Sequence, residues 1–387
     1  MAAASGASSR IHYLDNLRAL AMLLGVYLHG ALAYAEPSRS IWIATNPQGS
    51  VAIDASIWWI HLFRMGLFFL LSGYFAKLVI HRKGLRPFLW NRGIRIALPF
   101  LLFWPVLTVA MTMVFVFAFS YVQQPQGLLQ LIVAASQNPE TAKSSTTYTT
   151  MHLWFLYYLL MLSLIAAVCS PWTWLNFDWL FQRKWLLALS PLALVPGVMG
   201  GGLPVASPES FVPSWWPFAW YGLFYWFGWQ LFGREDLLDH LQPWCWSLVL
   251  AGFVMFIPHY FLLPALDIAL IQQATEFGSL TPSLLESVLA AYLSSILTLS
   301  ALLVGRRFLG RSNAWLKFCA DSSYWVYLIH LPIILFLQTL LIPVAIPAMV
   351  KLALVILVTW LFCLATYVVF VRYTPIGWML NGKRTFP

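Results

Sequence analysis

The stretch NLRALAMLLGVYLHGALAYA, residues 16–35, is apolar enough to cross a bilayer as a helix, yet it contains Arg18 and His29. An ionisable side chain in the hydrocarbon region costs at least a few kcal/mol, so it is expected to have a partner or a function. The two residues are separated by about three full helical turns, or about 16 Å of rise. They therefore lie on one face of the helix at two depths.

A cleavable signal peptide is the alternative interpretation of this segment, but Asp15, Arg18 and His29 interrupt the apolar core that such a peptide needs. The rest of the chain favours membrane crossings instead. Of its 387 residues 61% are apolar and 9% are charged, a composition that soluble globular domains do not have. The sequence predicts an all-α integral membrane protein with about ten transmembrane helices. We place the crossings near 17–35, 57–80, 94–121, 152–170, 185–199, 215–232, 244–263, 284–304, 316–338 and 350–371.

The basic residues indicate the orientation of these helices. With the N-terminus inside, seventeen Lys and Arg residues fall in inner segments and only Arg39, Lys143 and Lys351 fall outside. This bias predicts that both termini are cytoplasmic. The net charge of +9 is therefore attributed to topology, and nucleic acid is not an expected partner. No internal repeat or appended domain is recognised, so residues 1–387 are treated as one transmembrane domain.

The second crossing adds a further pair of ionisable residues, His61 and Arg64, at a depth similar to that of His29. Three such groups at one level predict a polar cavity that opens to the outer side, since intramembrane charge is tolerated beside partners or water. His152 and His330 lie near the outer ends of the fourth and ninth crossings and are expected to join its rim. The alternative for each is an ordinary interfacial histidine among aromatic residues.

The inner side has a basic cluster in HRKGLRPFLWNRGIR, residues 81–95, which includes Arg82, Arg86, Arg92 and Arg95. Guanidinium groups suit phosphate oxygens because they donate hydrogen bonds in a fork. The alternative is a positive-inside loop that contacts anionic lipid headgroups. That alternative does not account for Arg92 and Arg95, which continue into the third crossing as neighbours on one helix surface.

Together these features indicate the passage of an acyl group from a cytoplasmic phosphorylated carrier to an acceptor on the other side. An alcohol is a poor nucleophile at neutral pH, and a neutral imidazole can accept its proton in the transition state. We therefore assign His29 as the candidate general base and place Arg18 with it in the catalytic pair.

The same residues resemble the acyltransferase-3 superfamily of membrane O-acyltransferases. The resemblance rests on Arg-x10-His at Arg18 and His29, an FFxxSGY-like segment at 68–74, RxxR at Arg92 and Arg95, and YxxYLxH at 324–330. It extends over nearly the whole chain. Segments 60–69 and 152–156 are most similar to the glucan-biosynthesis C-type branch, whose members succinylate periplasmic glucans.

The resemblance implies a multi-pass enzyme of the bacterial inner membrane that uses acyl-CoA as a donor substrate and holds no permanent cofactor or metal. It implies succinyl-CoA ahead of acetyl-CoA, a periplasmic glucan or other envelope polysaccharide as acceptor, and other envelope-glucan biosynthesis proteins as partners. The arginines of the inner cluster would bind the carrier's phosphates. The expected substrate-binding residues are Arg64, His61, His152, His330 and Tyr327.

Two other classes of function remain open at this stage. A secondary transporter or acyl-group exporter would use His29 and Arg64 as a relay, although the duplicated halves common in transporters are not recognised here. A structural partner in an envelope-polysaccharide assembly would need no catalytic histidine. Within the enzyme hypothesis, Arg64 suits either the free carboxylate of a succinyl group or sugar hydroxyls.

Overall fold

The structure is a computed structural model that describes residues 2–36, 42–46, 49–123, 125, 129–130, 149–171, 183–263, 282–311 and 314–382. Arg39 and Lys143, two of the three basic residues predicted to lie outside, fall beyond the described residues, as do Lys383, Arg384 and most of the long loop 122–151. The described part of the chain is helical, and its extended backbone is limited to one isolated bridge between Thr149 and Ser210.

The helices follow one another with short connections. They are α1 (Ala2–Ala31), α2 (Val51–Lys83), α3 (Leu85–Arg92), α4 (Leu98–Tyr121), α5 (Trp154–Cys169), α6 (Lys184–Leu189), α7 (Val195–Gly201), α8 (Trp216–Leu231), α9 (Asp236–Leu241), α10 (Cys245–Leu262), α11 (Leu284–Phe308), α12 (Ala314–Leu341), α13 (Ala348–Thr366) and α14 (Pro375–Asn381). Five-residue π-helical turns at Gly93–Ala97 and Tyr367–Val371 extend α4 and α13 toward the same side.

The fold class is confirmed: the chain is an all-α integral membrane protein. Within the described residues, eight helical segments are long and apolar enough to cross a membrane. Each of the ten predicted crossings coincides with helix, but the fifth consists of the short pieces α6 and α7 with a 3-10 turn between them. The sixth, α8, has only 16 residues. The count of ten and the cytoplasmic termini stay predictions.

The helices form a central group and a peripheral group. More than half of the residues in the most apolar stretch are buried in each of α1, α2, α5, α11 and α12. Only 11% of them are buried in the segment that contains α4, and 28% in the segments that contain α10 and α13. Apolar side chains exposed on a helix of this length are expected to face lipid. The central helices therefore enclose the polar residues, and α4, α10 and α13 separate the central helices from the bilayer.

Helices α2 and α8 pack closely at two glycines. A Cβ atom on Gly73 would overlap the carbonyl oxygen of Tyr225, and one on Gly228 would overlap the carbonyl oxygen of Leu70. Small residues allow the backbones of membrane helices to approach in this way. Gly73, the glycine of the FFxxSGY-like segment, therefore allows α8 to pack closely against α2, the helix that carries His61 and Arg64.

Replacement of Gly228 by alanine should destabilise the protein, because the added methyl group meets backbone that cannot move independently of its helix. We expect the melting temperature in detergent to fall by several degrees or the monodisperse chromatographic peak to disappear. Gly222→Ala on the same helix is the control, since a Cβ atom added there would have a Leu162 side-chain carbon as its nearest neighbour, at 3.3 Å. Equal stability of the two variants would contradict the close crossing.

Candidate active site

His29 contacts a second histidine from across the bundle. It lies in the last turn of α1, where its Nδ1 atom is 3.3 Å from Nε2 of His330 on α12. The two rings stack with centroids 5.1 Å apart. His330 is buried, whereas His29 is partly exposed. The residue chosen from the sequence as the general base therefore has a fixed partner on one ring nitrogen and is not fully buried.

The environment of His330 determines the tautomer of both rings. Nδ1 of His330 lies 3.0 Å from the carbonyl oxygen of Val326 and 2.8 Å from that of Tyr327. Carbonyl oxygens only accept hydrogen bonds, so Nδ1 of His330 carries the proton and Nε2 of the neutral ring is an acceptor. His29 must then donate through its Nδ1. The remaining nitrogen of His29, Nε2, is left unprotonated, which is the state that a general base requires.

A second layer fixes His330. Nε2 of His152 is 3.0 Å from the carbonyl oxygen of Leu328, and the hydroxyl of Tyr327 donates to the carbonyl oxygen of His152 at 2.7 Å. The His152 ring meets the His330 ring edge-on at a centroid distance of 5.7 Å. His152, Tyr327 and His330 are all buried. The sequence placed them at a substrate-binding rim; the structure places them together behind His29, and their substrate contacts stay a prediction.

Gln338 joins the end of α1 to the segment that follows it. Its side-chain nitrogen donates to the carbonyl oxygens of His29 and Gly30, at 3.0 and 2.9 Å. These carbonyls belong to the last turn of α1, where carbonyls lack partners within the α-helix. The Gln338 oxygen accepts from the indole nitrogen of Trp42 at 2.7 Å, and the Trp42 ring lies 5.8 Å from that of His29.

Arg64 reaches across from α2 to α1. Its guanidinium lies against Gly25, where a Cβ atom would overlap Nη1. It is within electrostatic range of Tyr221 and Tyr327 as well as of His29. In the described part of the chain Arg64 has no ion-pair partner, and its buried Nε atom has no hydrogen-bond partner. A guanidinium held without a carboxylate in an apolar interior is a candidate site for an anionic ligand group.

His61 faces a different neighbour from Arg64. Its Nε2 atom lies 2.9 Å from the carbonyl oxygen of Val205, and its ring meets Trp58 edge-on. It lines a small cavity with Tyr221, His259 and Ser294. His61 and Arg64 both lie within electrostatic range of His29. Their common depth stays a prediction, and the two side chains contact different neighbours, Val205 and Gly25.

Arg18, in the middle of α1, lies near the RxxR segment. Arg18 pairs with Asp15 at 3.4 Å, and 45% of its side chain is exposed. Arg92 lies over the Phe88 ring at 4.9 Å, with a buried Nε atom that has no hydrogen-bond partner among the described residues. The charges of Arg18, Arg92 and Arg95 act on one another. Like charges repel, so this arrangement favours an anion between them.

Arg95 is held by the chain around it. It donates to the carbonyl oxygen of Asn381 at 2.9 Å, and its own carbonyl accepts from the hydroxyl of Tyr324 at 2.6 Å. Arg95 lies in the π-helical turn Gly93–Ala97, a local widening that is frequent at functional sites. By contrast, Arg82 and Arg86 are exposed at the end of α2 and the start of α3. Their predicted role in carrier binding stays a prediction.

Sequence reasoning missed Trp42, Gln338 and Tyr324 as parts of the two clusters. Gln338 had a signal, because an amide inside an apolar membrane segment needs partners. Trp42 had none, since it stands in a connecting segment among many other tryptophans. Tyr324 was noted only as the first residue of a motif, and its contact with Arg95 required the packing of α12 against the start of α4.

Comparison with known proteins gives one family. The acyltransferase-3 family model, described as an acyltransferase domain, matches residues 11–371. Curated relatives named glucans biosynthesis protein C include those of Salmonella heidelberg (strain SL476) and Salmonella typhi, each 24% identical over 86% of this chain and 85% of the relative. The protein of that name from Salmonella schwarzengrund (strain CVM19633) has the same identity and coverage. No solved structure gives a significant match.

The family model covers nearly the whole chain, including both histidine and arginine clusters. The resemblance predicted from the motifs is therefore confirmed. This chain belongs to the acyltransferase-3 family and is a multi-pass membrane acyltransferase.

Proposed function

We propose that this protein transfers an acyl group from cytoplasmic acyl-CoA to a hydroxyl group of a periplasmic glucan, with succinyl-CoA as the favoured donor and acetyl-CoA as the alternative. One observation carries the proposal: the apolar half of α1 presents His29, with a free Nε2 atom, at one end and Arg18, beside Arg92 and Arg95, at the other. The bacterial inner membrane is the membrane whose two faces meet these two substrates. Other envelope-glucan biosynthesis proteins are the expected partners.

The donor is proposed to bind at the arginine end. Arg18, Arg92 and Arg95 supply charge, and the unpartnered Nε atom of Arg92 supplies a hydrogen-bond donor for phosphate oxygens. Arg18 and His29 are about 16 Å apart along α1. The long pantetheine arm of coenzyme A suits this separation, because it can place the thioester near His29 while the phosphates stay at the arginines. Arg82 and Arg86 are exposed on the approach to this cluster.

The proposed chemistry is a single displacement at the thioester carbon. Nε2 of His29 accepts the proton of the acceptor hydroxyl while its oxygen attacks the thioester carbonyl carbon. A C–O bond forms and the C–S bond breaks, and the leaving thiolate takes the proton back from the imidazolium. His330 fixes the His29 tautomer through its Nε2 atom, as the carboxylate does in a catalytic triad. His330 thus acts as a positioning residue.

Arg64 is proposed to select the acyl group. The free carboxylate of a succinyl group would pair with its guanidinium, whose Nε atom is unpartnered in the described structure. Tyr221 lies within electrostatic range of Arg64, and its hydroxyl is proposed to donate to the same carboxylate. An acetyl group has no charge to place there and would leave the guanidinium unpaired. The relatives' name, glucans biosynthesis protein C, supports a glucan acceptor.

The first test gives the purified protein radiolabelled succinyl-CoA and a glucose oligosaccharide. We expect label on the sugar, and His29→Ala should lower kcat by about 10²–10⁴-fold because no other base is placed at the acceptor hydroxyl. Protein yield and membrane insertion should not change. Full activity of His29→Ala would refute the assigned base, and label that crosses vesicles without joining sugar would favour an exporter.

The role of His330 can be separated from simple packing. We expect His330→Phe to reduce kcat about tenfold or more without changing KM for succinyl-CoA, because the acceptor for His29 Nδ1–H is lost. His330→Gln should restore part of kcat, since its amide oxygen can accept the same hydrogen bond. Equal losses in the two variants would assign His330 to packing alone.

Donor binding is tested at Arg92. Arg92→Ala should raise KM for succinyl-CoA about tenfold or more, because a charge-assisted hydrogen bond to phosphate is lost, and Arg92→Lys should recover only part of it. Arg307→Ala is the matched control, since Arg307 is an exposed arginine predicted on the same side. A KM for succinyl-CoA that is the same in Arg92→Ala and Arg307→Ala would return Arg92 to a topological role.

Acyl selectivity is tested at Arg64. Arg64→Gln should reduce succinyl transfer about tenfold or more relative to acetyl transfer, because it removes the charge that pairs with the free carboxylate. The measurement is the ratio of kcat/KM for the two donors with one acceptor. An equal decrease for both donors would show that Arg64 does not read the acyl group.

A further inference from the structure

Trp42 is held in one orientation beside His29. It belongs to the described segment 42–46 between α1 and α2, and its indole nitrogen donates to Gln338, which in turn holds the carbonyl oxygens of His29 and Gly30. Indole, amide and histidine backbone thus form one rigid chain of hydrogen bonds. The position of the indole relative to the catalytic imidazole is therefore fixed by the same residue that closes the end of α1.

The backbone near Trp42 is anchored as well. The amide of Asn46 donates to the carbonyl oxygen of Ala33 at 2.8 Å, and the amide of Ser50 donates to that of Tyr34 at 3.0 Å. The buried ammonium of Lys351 donates to the Asn46 side chain at 3.1 Å. These bonds tie the segment to the end of α1 and to α13. Trp42 is consequently placed by the protein rather than by lipid.

The two rings meet at an angle. Their centroids are 5.8 Å apart and their planes are inclined by 49°, so neither ring covers the other. Trp42 and His29 are both partly exposed. The N–H edge of the indole is used by Gln338, and its accessible surface is therefore aromatic carbon. A ligand that lies against the exposed part of this aromatic plane is therefore beside His29, whose Nε2 atom is free.

A pyranose ring suits both the aromatic face of Trp42 and the base beside it. Its axial C–H groups form an apolar face that packs on an aromatic ring, and its hydroxyls project from the edge of that face. We propose that Trp42 is the platform of an acceptor subsite, on which a sugar ring lies so that one hydroxyl points at Nε2 of His29. This subsite rests on the proposed acyl transfer to a glucan and adds to it the residue that orients the acceptor.

A purely structural role makes a different prediction. If Trp42 served only to satisfy the oxygen of Gln338, phenylalanine would be as harmful as alanine, since neither can donate that hydrogen bond. A platform needs the aromatic face, which phenylalanine largely keeps. Water as the acceptor needs His29 and the donor but no platform, so hydrolysis of succinyl-CoA reports on the rest of the site.

The test compares Trp42→Ala, Trp42→Phe and wild type in the full-length protein with succinyl-CoA and a glucose oligosaccharide. We expect Trp42→Ala to raise KM for the oligosaccharide about tenfold, since the apolar sugar face loses its partner, and Trp42→Phe to raise it only a few fold. Succinyl-CoA hydrolysis should fall less than sugar transfer in Trp42→Ala and by the same factor in both variants, because both lose the hydrogen bond to Gln338. Trp244→Ala, at an exposed tryptophan outside this cluster, is the control and should leave both reactions unchanged.

Three results would overturn the subsite: an unchanged oligosaccharide KM in Trp42→Ala, equal effects of alanine and phenylalanine on that KM, or hydrolysis and sugar transfer that fall by the same factor in Trp42→Ala. The last two would assign Trp42 to the support of Gln338 or His29. Failure of the proposed function is distinguishable, because the wild-type protein would then acylate no oligosaccharide at all.

Discussion

The cost of an ionisable or polar side chain in an apolar interior is the constraint on which the rest of this structure depends. The protein meets it in two ways. The polar atoms of one set of residues are hydrogen-bonded to backbone carbonyls, to His29 or to Trp42; this set is His330, Gln338 and Tyr327. Arg64 and Arg92 keep unpartnered Nε atoms in the described structure. The satisfied groups form the frame, and the unsatisfied ones mark where an anionic ligand would lower the free energy.

Helix α1 connects the histidine cluster around His29 to the arginine cluster around Arg18, and the neighbouring helices decide what each cluster can do. At His29, α12 brings His330 and selects the tautomer; at Arg18, the end of α3 brings Arg92 alongside. The close crossing at Gly73 and Gly228 seats α8, whose Tyr221 reaches the level of Arg64. The proposed transfer needs such a spanning element, because its proposed donor and acceptor approach from different sides of the bilayer.

Much of the site could be predicted from the sequence. The three-turn spacing placed Arg18 and His29 on one face of α1, and intramembrane charge singled out Arg64. The directions of side chains from α2 could not be predicted in the same way. His61 and Arg64 are three residues apart, so a common depth followed from helical rise, but which neighbour each one meets depends on how α1, α8 and the segment at Val205 pack around α2.

The limits of the local pattern are clearest at Gln338 and at Arg86. Gln338 is separated from Trp42 by almost three hundred residues in the chain, and their hydrogen bond exists only after α12 has packed on α1. Arg86 stands in the same basic run as Arg92, yet it is exposed while Arg92 is largely enclosed beside Phe88. A run of basic residues specifies a charged region, and helix packing then divides it into enclosed and exposed groups.

The sequence by itself determined the helical membrane fold, because an apolar segment of sufficient length can satisfy its backbone in lipid only as a helix. It also determined the family and the face of α1, since motif spacing and helical rise are local properties. Only the tertiary structure decided that His330 holds the Nδ1 proton of His29 in place and that Gln338 ties Trp42 to it. Those contacts join residues about three hundred positions apart, and their geometry depends on the packing of α12 and the segment 42–46 against α1.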